Sequence, residues 1–286
     1  FFTVFLTVNG VRTSRAYSAS SPPTRKGHID ITVRRMPGGF VSKYLCNEVK
    51  AGDTFEVAGP GGSFYHEPLL DTSSLVFLAG GSGITPFMSM IREAADTSSG
   101  LEMHLLYGSR LVEDVIFIDE LSELACSLPG FRMDLVISEP EKDFEGLCGM
   151  LDSEMILSRV GSVEGTTFFV CGPHAMYDLC LPALDGLGVP ARLVKSELSG
   201  PPPDITVIGG WPEGLKSSAR RVVKIDGTTT SFKAASGEPL LNSLERNGFA
   251  LDNLCRSGEC GLCRIKLVEG EVFTPLSVVR RKADVL

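Results

Sequence analysis

The alternation of apolar and polar residues divides the chain into three parts, and the first part is predicted to be rich in β-strands. The apolar runs Phe1–Val8 and Ile29–Arg34 have the length and composition of strands, and a short helix is predicted at Val41–Cys46. Glycine and proline turns separate these elements, as at Gly59-Pro60-Gly61-Gly62. Short strands with such turns predict a small antiparallel β-barrel over residues 1–72.

After Asp71 the pattern changes, and buried apolar strands alternate with amphipathic helices. The predicted strands are Leu75–Ala79, Glu102–Tyr107, Arg132–Ile137, Thr167–Val170 and Arg192–Val194. The predicted helices are Thr85–Asp96, Ile116–Cys126, Asp152–Arg159 and His174–Leu187. Strands that alternate with helices predict a parallel sheet with helices on both faces, here an α/β domain over residues 73–199.

Residues 200–218 are rich in glycine, proline and serine, which predicts an irregular linker. A third unit follows at residues 219–286. It contains a predicted hairpin, Arg221–Ile225 and Thr228–Phe232, closed by Asp226-Gly227. A short helix at Pro239–Asn247 and a strand at Arg264–Val268 complete a small α+β domain.

Composition and charge exclude some classes of function. The 286 residues carry a formal net charge of −8, which argues against a nucleic-acid partner because such proteins present a basic face. No apolar run reaches the roughly 18 residues that span a membrane. Of the eight cysteines only the last three are clustered, so the chain is not a secreted disulfide framework and a cytoplasmic protein is predicted.

The three clustered cysteines, Cys255, Cys260 and Cys263, have the spacing C-x4-C-x2-C. This spacing matches the first three ligands of a plant-type [2Fe–2S] cluster, and Gly258 and Gly261 allow the loop to curl round such a cluster. A cluster needs four thiolates, and no cysteine follows Cys263. The alternatives are a three-cysteine zinc site, although zinc sites favour C-x2-C pairs, and reduced cysteines in a loop without a metal.

Two segments of the first domain predict a flavin site. In Arg15-Ala16-Tyr17-Ser18, the guanidinium can bind phosphate, the ring can face an isoalloxazine, and the hydroxyl can bond the region of flavin N5. In Gly38–Ser42, glycines precede a helix, as suits a pyrophosphate, so FAD is favoured over FMN. The candidate residues are Arg15, Tyr17, Ser18, Ser20, Gly38, Gly39, Phe40, Val41 and Ser42.

The second domain carries a predicted dinucleotide site. Gly80–Pro86 follows a buried strand and begins a helix, although it is not the G-x-G-x-x-G fingerprint. Arg110, after the second strand, is either a ligand for a 2′-phosphate or a solvated surface residue. Cys171 ends a later strand and either faces the ligand or is a buried structural cysteine. The candidates are Gly80, Gly81, Ser82, Gly83, Ile84, Thr85, Pro86, Ser109, Arg110, Cys171, Gly172 and Pro173.

These motifs, in this order, resemble the ferredoxin–NADP reductase superfamily. More narrowly, the chain is similar to the reductase components of multicomponent oxygenases that carry a C-terminal plant-type ferredoxin domain. The resemblance implies a flavin barrel, an NAD(P) domain and a β-grasp cluster domain. It also implies that Cys171 lies near the nicotinamide C4 and that Glu197 lies close to the flavin. Cys171, Ser18 and Glu197 are therefore the predicted catalytic residues.

The resemblance also implies features that the chain is expected to lack. The barrel of the family has opening strands before the position of Phe1, and its ferredoxin domain has a fourth cluster cysteine beyond the position of Leu286. The chain is therefore expected to hold flavin weakly and to assemble no stable cluster.

The sequence thus predicts an NAD(P)H-dependent flavin reductase that passes electrons to its own [2Fe–2S] cluster and then to a redox protein such as an oxygenase component. NADH is favoured over NADPH, and a monomer is expected. Two alternatives stay open at this point. One is an electron carrier or regulatory module without useful turnover, and the other is a reductase that serves a corrinoid or other redox protein.

Overall fold

A computed structural model describes residues 1–37, 39–197, 200–202, 204–249, 251–254, 256–258, 261–275 and 278. The chain forms two compact units. The first unit comprises Phe1, Tyr17–Arg34 and Gly61–Leu198, and the second comprises Phe2–Ala16, Arg35–Pro60 and Ser199–Leu286.

The strands are β1 (Phe2–Val8), β2 (Val11–Tyr17), β3 (Glu56–Ala58), β4 (Ser74–Gly80), β5 (Glu102–Ser109), β6 (Phe131–Ile137), β7 (Leu147–Cys148), β8 (Thr166–Cys171), β9 (Val194–Ser196), β10 (Arg220–Lys224) and β11 (Ser231–Ala235). The helices are α1 (Phe40–Asn47), α2 (Ile84–Thr97), α3 (Ile118–Ser127), α4 (Ser153–Val160), α5 (His174–Gly186) and α6 (Leu240–Arg246). None of the described helices is both long enough and apolar enough to cross a membrane.

The first unit is built on a six-stranded parallel sheet with the order β7-β6-β5-β4-β8-β9. Successive residues of β4 point to opposite faces, so Phe77 packs into one apolar cluster and Leu78 into the other. Both side chains are fully buried, which explains why β4 has an unbroken apolar sequence. The predicted parallel sheet with helices on both faces is confirmed.

Helix α2 shows how the local sequence shapes this unit. Pro86 lies in the first turn, where its missing N–H costs nothing. Ile84, Phe87 and Ile91 recur at helical spacing and are fully buried, and the Phe87 ring stacks on Phe77 with centroids 4.8 Å apart. The helix ends where Ser98 adopts a left-handed conformation.

The second unit contains two antiparallel sheets. One has three strands in the order β2-β1-β3, and β1 and β2 are joined by the tight turn Asn9-Gly10, whose residues both have positive φ. The other pairs β10 with β11, with Val222 opposite Lys233, and α6 follows it. The predicted antiparallel character of the first part and the predicted hairpin of the third are confirmed.

Two predicted strands are wrong. Ile29–Arg34 forms no strand and makes a single bridge, from Ile31 to Ala19. A serine side chain takes the place of a strand-pairing hydrogen bond there: the Asp30 N–H donates to Ser21 Oγ at 2.9 Å. Arg264–Val268 is also not a strand, and its apolar side chains are about half exposed, so no buried face favours extended pairing.

Other differences concern the bounds of elements. The predicted strand Arg192–Val194 is mostly a short 3-10 turn, Ala191–Leu193, and the strand itself starts at Val194. The turn between β10 and β11 is longer than Asp226-Gly227, because the Ile225 N–H donates to the carbonyl of Thr230. The short strands β3 and β7 were not predicted.

Candidate functional site

Two glycine-containing turns meet at the carboxyl edge of the parallel sheet. Strands β4 and β8 are neighbours, with Ala79 opposite Cys171, so the turns that follow them lie side by side. A Cβ atom on Gly83 would lie 2.1 Å from the carbonyl oxygen of Cys171. A Cβ on Gly172 would lie 3.1 Å from the Cα of Gly80. The glycines are therefore required for the two backbones to approach, and the structure brings the predicted nucleotide residues together.

Both turns lead into helices whose N-termini carry no side-chain cap. Gly83 precedes α2 and Pro173 precedes α5, and neither provides a capping oxygen. The Thr85 hydroxyl is engaged with the carbonyl of Ser82 at 2.8 Å. The first N–H groups of a helix need acceptors, and phosphate oxygens are suitable ones. The edge of the sheet thus fits the pyrophosphate of a dinucleotide.

Tyr107 positions the first of these turns. Its hydroxyl donates to the carbonyl of Gly81 at 2.9 Å and accepts from the N–H of Ile116 at 3.1 Å. The ring is fully buried, and burial raises the pKa of Tyr107 to about 12, so it remains a neutral donor. The sequence analysis missed this role, because it depends on β5 lying beside β4.

Arg34 is a second residue that the sequence analysis missed. Its Nη1 lies 3.1 Å from the position that a Cβ on Gly81 would occupy. The guanidinium is half exposed and lies 4.0 Å from a carboxylate oxygen of Asp114. It is a positive charge beside the glycine turn, where an anionic ligand is expected.

The end of β5 holds the residues predicted to meet the ribose end of the cofactor. Ser109 is buried, and its hydroxyl donates to the carbonyl of Leu111 at 2.9 Å. Arg110 is exposed, and its Nε lies 4.0 Å from a carboxylate oxygen of Glu139. The Glu139 N–H also donates to the carbonyl of Arg110 at 2.9 Å, so the two chain segments are held together. The strand end therefore presents an arginine that is paired with an acidic residue.

Cys171 ends β8 as a buried, neutral thiol. Burial raises its pKa to about 12, and the charge of Glu197 adds to the shift. Tyr177, from α5, connects the same turn to Glu197. Its hydroxyl accepts from the N–H of Gly172 at 3.2 Å and donates to the carbonyl of Glu197 through a short hydrogen bond. The sequence analysis did not single out Tyr177, which lies six positions after Cys171.

Glu197 and Ser18 are in direct contact. The Ser18 hydroxyl donates to Glu197 Oε2 at 2.9 Å. Burial raises the pKa of Glu197, and the hydrogen bond from Ser18 partly offsets that shift. The three predicted catalytic residues thus belong to one connected group, since Tyr177 links the turn after Cys171 to Glu197.

Ser20 has partners within its own loop. Its hydroxyl donates to the carbonyl of Asp30 at 3.2 Å and accepts from the Thr32 hydroxyl at 3.0 Å. The Arg92 guanidinium donates to the Ser20 carbonyl at 2.7 Å and forms an ion pair with Glu120. These bonds fix the loop that follows Tyr17.

Of the remaining flavin candidates, Tyr17 belongs to the first unit, and Arg15 and the Gly38–Ser42 segment belong to the second. The Arg15 guanidinium is held on its own strand, where Nη1 donates to Thr13 Oγ1 at 2.9 Å and to the Ser14 carbonyl at 2.7 Å. A Cβ on Gly39 would lie 2.3 Å from Ser42 Oγ, which accepts from the Met36 N–H at 3.1 Å.

The N-terminus of α1 also fits a phosphate. Gly39 precedes this helix and provides no side-chain cap. Phe40 is partly exposed and Val41 is buried, so Val41 anchors the first turn in the protein. Gly38 lies outside the described residues. A compact turn before an uncapped helix suits a phosphate group.

The cysteine loop is only partly described. Cys263 is partly buried, whereas Cys255 and Cys260 lie outside the described residues. Within the described part of the chain, no three His, Cys, Asp or Glu side chains are grouped to hold a metal ion. Thiolates are the ligands that iron–sulfur clusters use, so the chemistry of the three cysteines fits a cluster.

Comparison with protein families identifies the three parts. Residues 1–66 match the oxidoreductase FAD-binding domain, residues 77–181 match the oxidoreductase NAD-binding domain, and residues 223–284 match the 2Fe-2S iron-sulfur cluster binding domain.

Similar proteins align with this chain along most of their length. The chain is 31% identical over 275 residues to the ferredoxin reductase component of 3-ketosteroid-9-alpha-monooxygenase from Mycolicibacterium smegmatis, which covers 95% of this chain and 75% of that protein. It is 30% identical to NADH oxidoreductase HCR from Escherichia coli K12, over 97% of this chain and 79% of that protein. The structure of phthalate dioxygenase reductase shares the fold, with a TM-score of 0.67, 24% identity and coverage of 99% and 81% of the two chains.

The chain therefore belongs to the ferredoxin–NADP reductase family, among the members with a C-terminal [2Fe–2S] domain. It is an NAD(P)H oxidoreductase with domains for FAD, a nicotinamide dinucleotide and a [2Fe–2S] cluster. The predicted family, fold class, enzyme class and cofactors are confirmed.

Proposed function

We propose that this protein is the reductase component of a multicomponent oxygenase, and that it passes electrons from NADH to the oxygenase. The observation that carries the proposal is the meeting of the Gly80–Gly83 and Cys171–Pro173 turns beside the Ser18–Glu197 pair. The similarity to the reductase component of a 3-ketosteroid monooxygenase supports an oxygenase as the acceptor. When bound, the flavin accepts two electrons as a hydride and releases them singly to the iron–sulfur cluster.

The residues of the two turns bind and orient the dinucleotide. The N-termini of α2 and α5, which carry no side-chain cap, are proposed to hold its pyrophosphate, with Arg34 adding a positive charge. Cys171 is proposed to contact the nicotinamide as a neutral thiol, because its burial disfavours the thiolate. Tyr177 fixes the carbonyl of Glu197 relative to the turn after Cys171.

The flavin is proposed to lie against the residues predicted for it. Arg15 and the start of α1, with Gly39 and Ser42, would hold the phosphates. Tyr17 and Ser18 would contact the ring. Glu197, whose pKa is raised by burial, would accept the hydrogen bond of Ser18 and so keep that hydroxyl in place near the flavin.

Cys255, Cys260 and Cys263 are proposed to supply three of the four thiolates that hold the cluster. The spacing of these residues and the matching 2Fe-2S domain over residues 223–284 support this assignment. The domains are proposed to follow the boundaries 1–72, 73–199 and 219–286, with a linker at 200–218. A cytoplasmic location is proposed because Cys126, Cys148, Cys171 and Cys180 all carry free thiols.

NADH is proposed as the preferred cofactor over NADPH. An arginine that binds a 2′-phosphate must be available to it, whereas Arg110 faces Glu139. The carboxylate would repel the phosphate and leave the ribose hydroxyls of NADH as the better ligand.

The test is to mix the purified protein with NADH and either ferricyanide or cytochrome c, and to follow NADH oxidation and acceptor reduction. The proposal predicts oxidation of one NADH for every two one-electron acceptors reduced. The bound flavin is then released by denaturation and chromatographed, with FAD expected. Bound flavin that neither NADH nor NADPH reduces would show a carrier without turnover and would overturn the proposal.

A further inference from the structure

A buried polar network surrounds Arg256, the residue that follows Cys255 in the cysteine loop. Its guanidinium makes a two-pronged ion pair with Glu245 of α6, with both N···O distances at 2.7 Å. Nη2 also donates to Asn242 Oδ1 at 2.5 Å. The side chains of Arg256 and Glu245 are 7% and 6% exposed, so the charges are held by hydrogen bonds rather than by water.

Strand β2 reaches the same network from a distant part of the sequence within the second unit. The Thr13 hydroxyl donates to Glu245 Oε2 at 3.2 Å. The Ser14 hydroxyl donates to Asn253 Oδ1 at 2.5 Å, and Arg256 Nη1 donates to the Ser14 carbonyl at 3.2 Å. Three hydrogen bonds thus join β2 to α6 and to the cysteine loop.

These bonds have a clear energetic role. Thr13 and Ser14 are 4% and 1% exposed, and a buried hydroxyl costs free energy unless it finds a partner. Their partners come from α6 and the cysteine loop, so moving these elements away from β2 would break all three bonds together. The same two residues also accept hydrogen bonds from Arg15, the candidate ligand for the flavin phosphate.

We propose that Thr13 and Ser14 are positioning residues that dock the cysteine loop on the flavin-binding strand and thereby fix the path for electrons between flavin and cluster. Thr13 acts through Glu245, and Ser14 acts through Asn253 and Arg256. The inference rests on the proposed function, in which single electrons pass from flavin to cluster. Each passage moves one electron and transfers no atom.

The test is a double-mutant cycle with Ser14→Ala, Asn253→Ala and the double variant, read out by hydrogen exchange in the full chain. Asn253→Ala should speed exchange of the β2 amides about two- to tenfold, since one neutral hydrogen bond is lost. Ser14→Ala should have the same effect on the amides of the segment around Asn253, which accepts the hydrogen bond of the Ser14 hydroxyl. The double variant should exchange no faster than the faster single variant, because both changes break the same contact.

Ser243→Ala is the matched control. Ser243 is also fully buried, and its hydroxyl donates to Glu238 at 2.7 Å, but this contact does not involve β2. The control should therefore leave exchange of the β2 amides unchanged. The docking proposal is overturned if the effects of Ser14→Ala and Asn253→Ala on the exchange rates simply add. It is also overturned if neither substitution changes hydrogen exchange in the segment on the other side of the contact.

A second measurement follows electrons after mixing with NADH, in protein that also carries the fourth cluster cysteine. Asn253→Ala should slow cluster reduction, seen by EPR, while flavin bleaching keeps its wild-type rate. If the unmodified protein shows no flavin bleaching, the proposed function fails, and the exchange experiment still decides the docking contact. If bleaching and cluster reduction are both unchanged in Asn253→Ala, the contact does not set the electron path and the inference fails.

Discussion

At the scale of single residues, burial sets the chemistry of Cys171. Its pKa is raised to about 12 from an ordinary value of 9.0, so the folded protein keeps the thiol protonated. A folded-state pKa above the unfolded one means that this residue stabilises the fold fully below pH 9.0. That stabilisation is lost as the pH rises from 9.0 toward about 12.

We expect Cys171→Ala to slow flavin reduction by NADH about ten- to a hundredfold, because a gap beside the nicotinamide loosens its orientation. Flavin should remain bound, since Cys171 is not among the flavin candidates. Stopped-flow bleaching measures the rate. The wild-type rate should show no thiolate-dependent step between pH 6 and pH 9. Equal rates for variant and wild type would make Cys171 purely structural.

The pairing of Arg110 with Glu139 gives a second prediction at this scale. Glu139→Gln removes the negative charge that faces the guanidinium, so kcat/KM for NADPH should rise about three- to tenfold, and kcat/KM for NADH should change less than twofold. Glu141→Gln is the control, because this nearby acidic residue has no ion pair with Arg110 among those described. A wild-type preference for NADPH above tenfold would contradict the proposed use of NADH.

At the scale of elements, the close approach of the turns after β4 and β8 is the feature most sensitive to substitution. Gly83→Ala would place a methyl group 2.1 Å from the carbonyl oxygen of Cys171, and backbone atoms cannot yield cheaply. We expect a loss of about 1–3 kcal/mol in the free energy of unfolding and weaker binding of NADH. Denaturant unfolding and titration calorimetry measure the two effects.

Gly186→Ala is the matched control for that substitution. Gly186 ends α5, and nothing lies within 4 Å of a Cβ at this position. Alanine favours a helix over glycine, so this variant should be as stable as wild type or more stable by up to about 1 kcal/mol. If Gly83→Ala and Gly186→Ala have the same free energy of unfolding and the same affinity for NADH, the close contact between the turns contributes to neither property.

The elements that were predicted well from the sequence are those whose burial produces a clear pattern of apolar residues. Strands β4 and β8 are covered on both faces, so their apolar runs stand out, and the helices between strands show helical spacing. The strand predicted at Ile29–Arg34 was wrong because side-chain hydrogen bonds compete with strand pairing there. The roles of Tyr107 and Tyr177 could not be predicted, since each hydroxyl bridges segments that only the fold brings together.

At the scale of the whole molecule, the protein separates two-electron from one-electron chemistry along its sequence. The residues proposed for hydride transfer lie before residue 200, and the proposed cluster ligands lie after residue 250. Thr13 and Ser14 of β2 contact Glu245 and Asn253 within the second unit. Substitutions in the cysteine loop should therefore lower electron delivery to the acceptor and leave flavin reduction by NADH unchanged.

In protein that also carries the fourth cluster cysteine, we expect Cys263→Ser to uncouple these two halves of the reaction. Flavin bleaching by NADH should stay within about twofold of wild type, because hydride transfer depends on the turns near Gly83 and Cys171. Electron delivery to the protein acceptor should be lost, together with the visible absorbance and EPR signal of the reduced cluster, since a serine oxygen binds iron poorly compared with a thiolate. Cys126→Ser, which changes an exposed cysteine of α3, should alter neither rate. Metal analysis of protein purified without oxygen completes the test. Iron and sulfide are expected in protein that also carries the fourth cluster cysteine, whereas zinc without iron would restrict the protein to flavin reduction and leave no electron path through the cysteine loop.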